Sequence, residues 1–260
     1  MSIDSKLTNE EIFSKFKNLN LSNTDCLFVA NDLGKIGLIP GKSKKDLLDA
    51  IYKNIIKINP NITIVVPTAN FNLINTDKIF NLKNTPSFRM GAFSEYIRKF
   101  DNSKRSYHPF WSLTAKGPMA DKIVGKISNH AYDQNSAFAN LFKIKNSHFL
   151  SIGDHPRFML AIIHHFENMF KVPYRFTKTF KINCAKDNRV ITEYFKLDVL
   201  KDEFRSQKRS FNKKIFEYFE QNKKLYKNTL GKGKIYYFNI QDFYVTTCEL
   251  FKKDINCWWK

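Results

Sequence analysis

Apolar and polar positions alternate along the chain in two rhythms. Segment 26–30, CLFVA, is short, apolar and partly β-branched, which predicts a buried strand. The glycine-bearing stretch NDLGKIGLIPGK (31–42) reads as a loop. After it, KKDLLDAIYKNIIKI (44–58) places Leu47, Leu48, Ile51, Ile55 and Ile58 on helical spacing. ITIVVP (62–67) is a second buried strand, closed by proline, so the first third reads as a βαβ unit with a parallel central sheet. HFLSIG (148–153) repeats the buried-strand pattern, and DHPRFMLAIIHHFENMF (154–170) predicts a helix capped by Asp154 with Pro156 in its first turn. FTKTFKI (176–182) and RVITEYF (189–195) flank the turn CAKDN (184–188) and read as a hairpin. Residues 201–222 then look helical, and KIYYFNI (234–240) resembles one more strand. With no linker, repeat or low-complexity tract, the expected organisation is one α/β domain over 1–260 with an antiparallel addition.

Composition adds a core and a charge to this outline. The 260 residues are 43% hydrophobic and 15% aromatic, enough for a sizeable core. A net charge of +19 calls for an anionic partner or substrate: nucleic acid, an anionic membrane or a phosphorylated small molecule. No window is apolar enough to span a bilayer and the start, MSIDSKLTNEEIF, is too polar for a signal peptide, so a soluble cytoplasmic protein without membrane association is expected. Cys26, Cys184, Cys248 and Cys257 lie far apart with no CxxC pair and are expected reduced and mostly buried.

Three stretches carry candidate chemistry. On the helix expected over 154–170, His164 and Glu167 are three apart and share a face with Leu160 and Lys171, while His165 points elsewhere. A histidine oriented or charged by a carboxylate is the commonest general-base arrangement. A metal site drawn from His155, His164, His165 and Glu167 is the weaker reading, because HHxxE lacks the i, i+4 histidine pair of zinc hydrolases. In SYHPFWSLTAKG (106–117), Pro109 forces His108 toward extended geometry, and Ser106, Ser112 and Thr114 add hydroxyls; alone, this histidine reads as a hydrogen-bonded packing residue. PGKSKKD puts Lys42, Lys44 and Lys45 where a loop becomes a helix N-terminus, a place that favours phosphate. A non-catalytic nucleic-acid binder is the rival class, resting on SQKRSFNKKIFEYFEQNKKLYKN (206–228), but Phe211, Ile215 and Phe219 recur at helical spacing and make this an amphipathic helix with a solvated lysine face.

Taken in order, SYHPFWSLTAKGPMA, DQNSAFANLF, FLSIG and HHFENMFKVPYR resemble the antibiotic N-acetyltransferase family, typified by aminoglycoside 3-N-acetyltransferases. The matching positions are Arg105, Ser106, His108, Pro109, Ser112, Ala115, Gly117, Ala120, Ser136, Leu141, Gly153, His164, Glu167, Tyr174 and Arg175; TIVVPT (63–68) and MGAFSEYIR (90–98) extend the likeness to roughly residues 25–180. Two stretches depart: the loop after the first strand reads Asn31, Asp32, Leu33 where the family usually has paired serines before leucine, and Ala161 stands where it has a threonine three before the histidine.

The resemblance implies a three-layer α/β sandwich, a central mixed sheet with helices on both faces plus an added hairpin. It implies acyl transfer from acyl-coenzyme A as co-substrate to a sugar amine, with no metal, by direct attack in a ternary complex. His164 becomes the general base and Glu167 its orienting carboxylate. Asn31, Asp32, Leu33, Lys42, Lys44, Ser106, His108 and Ser112 are then expected around the coenzyme, and Tyr107, Asp133, Ser136, Tyr174 and Arg175 around the acceptor. A third network member among Asp187, Glu193 and Asp198 is left open, and a homodimer is allowed. Aminoglycosides are polycations that a +19 protein repels, whereas a nucleotide-linked amino sugar is anionic; residues 181–234 alone hold 15 Lys and Arg against 7 Asp and Glu. The expected acceptor is therefore a nucleotide-linked amino-dideoxyhexose (a dTDP-sugar type) used for surface polysaccharide, carrying an acetyl or short hydroxyacyl group afterwards. The aminoglycoside enzyme is the alternative.

Overall fold

A computed structural model describes residues 7–156, 161–205 and 214–259. The chain opens with α1 (Asn9–Lys17), then β1 (Cys26–Asn31), α2 (Lys44–Ile58) and β2 (Thr63–Pro67). β1 and β2 pair in parallel across α2, the expected βαβ unit. Six consecutive residues of β1 are buried because parallel strands are covered on both faces. Alternation divides them: Cys26, Phe28 and Ala30 enter one core, Leu27 and Val29 the other.

Next come β3 (Phe80–Asn81), α3 (Ala92–Arg98), β4 (Lys104–Arg105), β5 (Leu113–Lys116), α4 (Ala120–Val124), α5 (Ala137–Phe142) and β6 (Ser147–Ile152). β6 lies parallel to β1 on the side away from β2. Beyond α6 (Ile163–Met169), β7 (Arg175–Lys186) and β8 (Arg189–Leu200) form the predicted hairpin. Its turn is only Asp187 and Asn188, both with positive φ, the conformation of a two-residue primed turn that lets the strands run five residues longer than their apolar segments suggest. The chain finishes with α7 (Asp202–Arg205), α8 (Lys214–Gln221), β9 (Tyr226–Leu230), β10 (Gly233–Asn239) and α9 (Ile240–Lys253).

The main sheet runs β4-β5-β2-β1-β6-β10-β9, parallel at its centre and antiparallel toward both edges; β3, β7 and β8 make a smaller sheet. One face of the main sheet packs α1, α2 and α3 through Ile12, Phe16, Leu47, Ile51, Ile55 and Phe93. The other packs α4, α5, α6, α8, α9 and the hairpin around Phe138, Phe149, Phe166 and Phe238. The result is the expected α/β sandwich with mixed sheet and added hairpin.

One helix expectation needs correction. The helix expected from residue 154 begins at Ile163, and Asp154 is not its cap: the Asp154 carboxylate pairs with Lys35 and accepts the amide of His155 at 2.7 Å. Its side chain is thus committed to the loop after β1. Of the helix expected over 201–222, the described stretches Asp202–Arg205 and Lys214–Gln221 are helical as α7 and α8; residues 206–213, including Phe211, and 157–160, including Leu160, lie outside the described residues. Ile215 and Phe219 of α8 do turn into the core, which takes the apolar side of the supposed nucleic-acid helix away from any ligand. Among the described residues, no helix is long and apolar enough to cross a membrane.

Candidate active site

Ligands in open α/β sheets bind at the carboxyl ends of the parallel strands. Here the ends of β1 and β2 (Ala30, Asn31 and Pro67) open onto a cavity of about 1190 Å³, and α6 crosses it with His164 and Glu167 on the cavity side. Their i, i+3 spacing puts the imidazole and carboxylate together: His164 Nδ1 is 2.5 Å from Glu167 Oε2. Arg175, at the start of β7, brings its Nε to 2.6 Å from the same oxygen. It is an ion-pair partner, out of line for a directed hydrogen bond, and it donates through a terminal nitrogen to the Asp198 carbonyl at 3.3 Å.

Glu167 is 1% exposed, and burial alone would raise its pKa. The opposing charge and hydrogen bond of His164, together with Arg175, outweigh that and hold the carboxyl below its ordinary value. An ionised carboxylate accepts the Nδ1 hydrogen of His164, so the working lone pair of the neutral ring belongs to Nε2. The ring is walled by Tyr132, centroid to centroid 5.3 Å, and Trp111, 6.5 Å. Behind Glu167 sits Tyr174, fully buried, whose phenol is pushed up by burial and by the charge of Glu167.

The loop after β1 is braced for the cavity. Asn31 Oδ1 accepts the amide of Phe93 at 3.1 Å and its Nδ2 donates to Ser94 Oγ at 3.2 Å. The residue preceding α3, Gly91, has no side chain to cap with, so Asn31 supplies the cap from another element. Gly153, at φ +99°, lets β6 end against this loop: a Cβ there would sit 2.0 Å from the Asp32 carbonyl.

The cavity gathers some of the expected residues and not others. Asn31, Asp32, Leu33, Lys44, His164, Glu167 and Arg175 line it. Lys42 does not, and the α2 N-terminus beside it is a capping box in which Ser43 and Asp46 bond each other's backbone amides, so a carboxylate already occupies the expected phosphate position. Lys45 pairs with Asp49.

Ser106, His108 and Ser112 are fully buried away from the cavity. His108 Nδ1 accepts the Trp111 amide at 3.2 Å while Nε2 donates to the Lys196 carbonyl at 3.3 Å, and burial lowers its pKa to about 3. It is a neutral scaffold residue. Ser106 accepts the Leu113 amide, and Ser112 joins Arg105, whose guanidinium also holds the carbonyls of Thr68, Leu82 and Thr85. From 106–117 the residue reaching the cavity is Trp111.

On the acceptor side, Tyr107 instead donates to Glu193 and packs between Phe80 and Phe195. Asp133 braces its loop by accepting Ser128 Oγ–H at 2.7 Å and the Asn135 amide at 2.9 Å, and Ser136 caps α5 by accepting the Ala139 amide. Tyr174 backs Glu167 without lining the cavity. Of the open third members, Asp187 is in the hairpin turn and Glu193 on Tyr107; Asp198 lines the cavity but is satisfied by His130 Nε2 at 3.2 Å, Thr177 and Asn168. The network's third member is Arg175, not a second carboxylate. The four residues of the metal reading also diverge: His165 faces the Tyr132 carbonyl at 2.7 Å and His155 packs edge-on to Phe216.

The cavity further draws Tyr132, Arg89, Arg205, Trp258 and Trp259 from distant parts of the chain. None carried a local motif; the paired tryptophans, unusual next to a lysine-rich segment, were the one visible signal.

The chain is similar to the YokD protein of Bacillus subtilis, at 18% identity over 96% of this chain and 95% of that one, TM-score 0.77. AAC-VIa bound to sisomicin matches at 17% identity, covering 96% and 98%, TM-score 0.80, and AAC-IIIb binary with CoASH at 17%, covering 95% and 97%, TM-score 0.77. These likenesses are of fold. The comparison of the sequence with curated proteins returns no match. The profile of the aminoglycoside 3-N-acetyltransferases, however, matches residues 29–252, a span that includes His164, Glu167 and Arg175. The chain therefore belongs to the aminoglycoside 3-N-acetyltransferase family and is an acyl-coenzyme A-dependent N-acyltransferase.

Proposed function

We propose that this enzyme acylates the amine of a nucleotide-linked amino-dideoxy sugar, over 1–260 as one catalytic unit in the cytoplasm. The observation that carries the chemistry is His164 held by buried, ionised Glu167 at the cavity wall. Nε2 takes the proton from the amine as its nitrogen forms a bond to the thioester carbonyl carbon. The tetrahedral adduct then expels the coenzyme A thiolate, the C–S bond breaks, and the thiolate is protonated as free thiol. Glu167 stabilises the imidazolium formed on the way, and Arg175 holds Glu167 in place.

The acceptor class rests on the charges around the cavity. Of the four carboxylates that line it among the described residues, three are committed: Asp154 to Lys35, Glu167 to His164 and Arg175, and Asp198 to His130, Thr177 and Asn168. That leaves Asp32 against the cations Lys44, Arg89 and Arg205, the last held only in an exposed pair with Asp202. A polycationic antibiotic would find little uncommitted negative charge, whereas phosphates would find cations. The aminoglycoside reading has its own support, since AAC-VIa is seen bound to sisomicin.

Free-thiol release from acetyl- and short hydroxyacyl-coenzyme A, measured against nucleotide-linked amino sugars and aminoglycosides, decides between them. Turnover is expected with a nucleotide-linked sugar and little with an antibiotic; the reverse preference overturns the acceptor assignment. His164→Asn should lower the rate about a hundredfold or more, and near-normal turnover would overturn the base assignment.

A further inference from the structure

The family profile ends at residue 252, yet the cavity does not. After α9 the chain turns back on itself, with the Cys257 amide on the Asp254 carbonyl at 2.9 Å and the Trp259 amide on the Asn256 carbonyl at 2.8 Å. These turns deliver Trp258 and Trp259 to the cavity wall. Trp259 stacks on Tyr174, centroids 4.9 Å apart and planes 29° from parallel, and meets Phe204 edge-on at 5.6 Å. Tyr174 backs Glu167, so the Trp259 indole is one ring removed from that carboxylate.

The same end of the cavity is completed by Leu200, the last residue of β8, and by Arg205 of α7. Arg205 is paired with Asp202 at 3.0 Å, but the two side chains are 61% and 90% exposed. Such a pair is weak and readily exchanged for phosphate, which the guanidinium fork matches better. Asn31, Asp32, Leu33 and Lys44, the residues expected around acyl-coenzyme A, come from the end of β1, the loop after it and the start of α2.

We propose that Trp258, Trp259 and Arg205 form the subsite for the nucleoside diphosphate of the acceptor, the indoles meeting the base and the guanidinium meeting the diphosphate. Aromatic side chains suit any base because each presents a π-face, and arginine suits the bidentate oxyanion. This inference rests on the acceptor reading above and deepens it. It also gives Trp258 and Trp259, outside the family profile, a specificity role: with Arg205 they admit a nucleotide where the shared core supplies the acyl transfer.

Titration calorimetry with dTDP and, separately, with CoA tests it on the wild-type protein and on Trp259→Ala and Arg205→Gln. Arg205 is exposed, so its substitution leaves packing intact even if the tryptophan variant proves unstable. Each variant should bind dTDP about tenfold more weakly while CoA affinity stays within about twofold. Unchanged dTDP affinity in both variants, in an enzyme that turns over nucleotide-linked amino sugars, overturns the subsite alone. An equal loss of CoA affinity overturns it too, assigning the corner to the coenzyme. A wild-type protein that neither binds dTDP nor acylates any nucleotide-linked sugar overturns the acceptor reading itself.

Discussion

Glu167 shows how one carboxylate can be ionised, buried and useful at once. Its Oε2 is shared by His164 and Arg175, so desolvation is offset by the His164 hydrogen bond and the Arg175 charge, and the group titrates below its ordinary value. The sign follows: a carboxyl whose folded pKa is lowered stabilises the protein above its unfolded pKa, and that contribution is lost as pH falls through the folded value. Glu167→Gln removes the charge but keeps the shape. Without the negative neighbour the imidazolium is less favoured, so the acid limb of kcat/KM should move to lower pH and kcat fall about a hundredfold. A pH-rate profile checks both; a variant with unaltered limb and rate would reduce Glu167 to packing. His108 is the contrast within one cavity neighbourhood: with both ring nitrogens satisfied by backbone and its pKa lowered to about 3 by burial, it stays neutral across the working range and takes no part in proton transfer.

At the scale of elements, the site depends on two strand ends meeting a loop. Gly153 closes β6 at φ +99° with no room for a Cβ, whereas Gly34 in the same loop region has an ordinary 3.4 Å contact with Asp32 Oδ1 and no positive φ. Gly153→Ala should therefore destabilise by on the order of 3 kcal/mol, lowering Tm by about 10 °C. Gly34→Ala should leave Tm within about 2 °C; thermal unfolding monitored by circular dichroism separates the two. This glycine was legible as part of a motif, but its reason, the approach to Asp32, was not. β1, β2, α2 and β6 were legible because buried parallel strands and an amphipathic helix write long, strong periodicities. β3 and β4, two residues each, write none. The start of α6 was misread because a good capping sequence, Asp154 with Pro156, is spent on a tertiary ion pair with Lys35. His164 and Glu167 were readable together since both lie on one helix, whereas Arg175 was expected around the acceptor and its ion pair with Glu167 was not legible. Tyr132, Arg205, Trp258 and Trp259 reach the cavity only through the fold, and Ser106, His108 and Ser112 were assigned to the coenzyme because a recurring motif marks scaffold as readily as site.

Over the whole molecule, a charge of +19 sets a long-range field that pairwise contacts do not describe. Buried pairs such as His164–Glu167 are insensitive to salt, so the chemical step should not respond to it. Capture of the acceptor should, because the cations facing the cavity, Lys44, Arg89 and Arg205, act through solvent and are screened within about 10 Å at 0.1 M ionic strength. For an anionic nucleotide-linked acceptor, raising ionic strength from about 0.01 M to about 0.3 M should lower kcat/KM several-fold at constant kcat. For a polycationic acceptor the sign reverses, since screening relieves repulsion from the same field. Steady-state rates at saturating acyl-coenzyme A across that salt range give the slope directly. A rise of kcat/KM with salt for the preferred substrate would mean that the acceptor is drawn in against the field, and that Asp32 rather than the cations governs its entry.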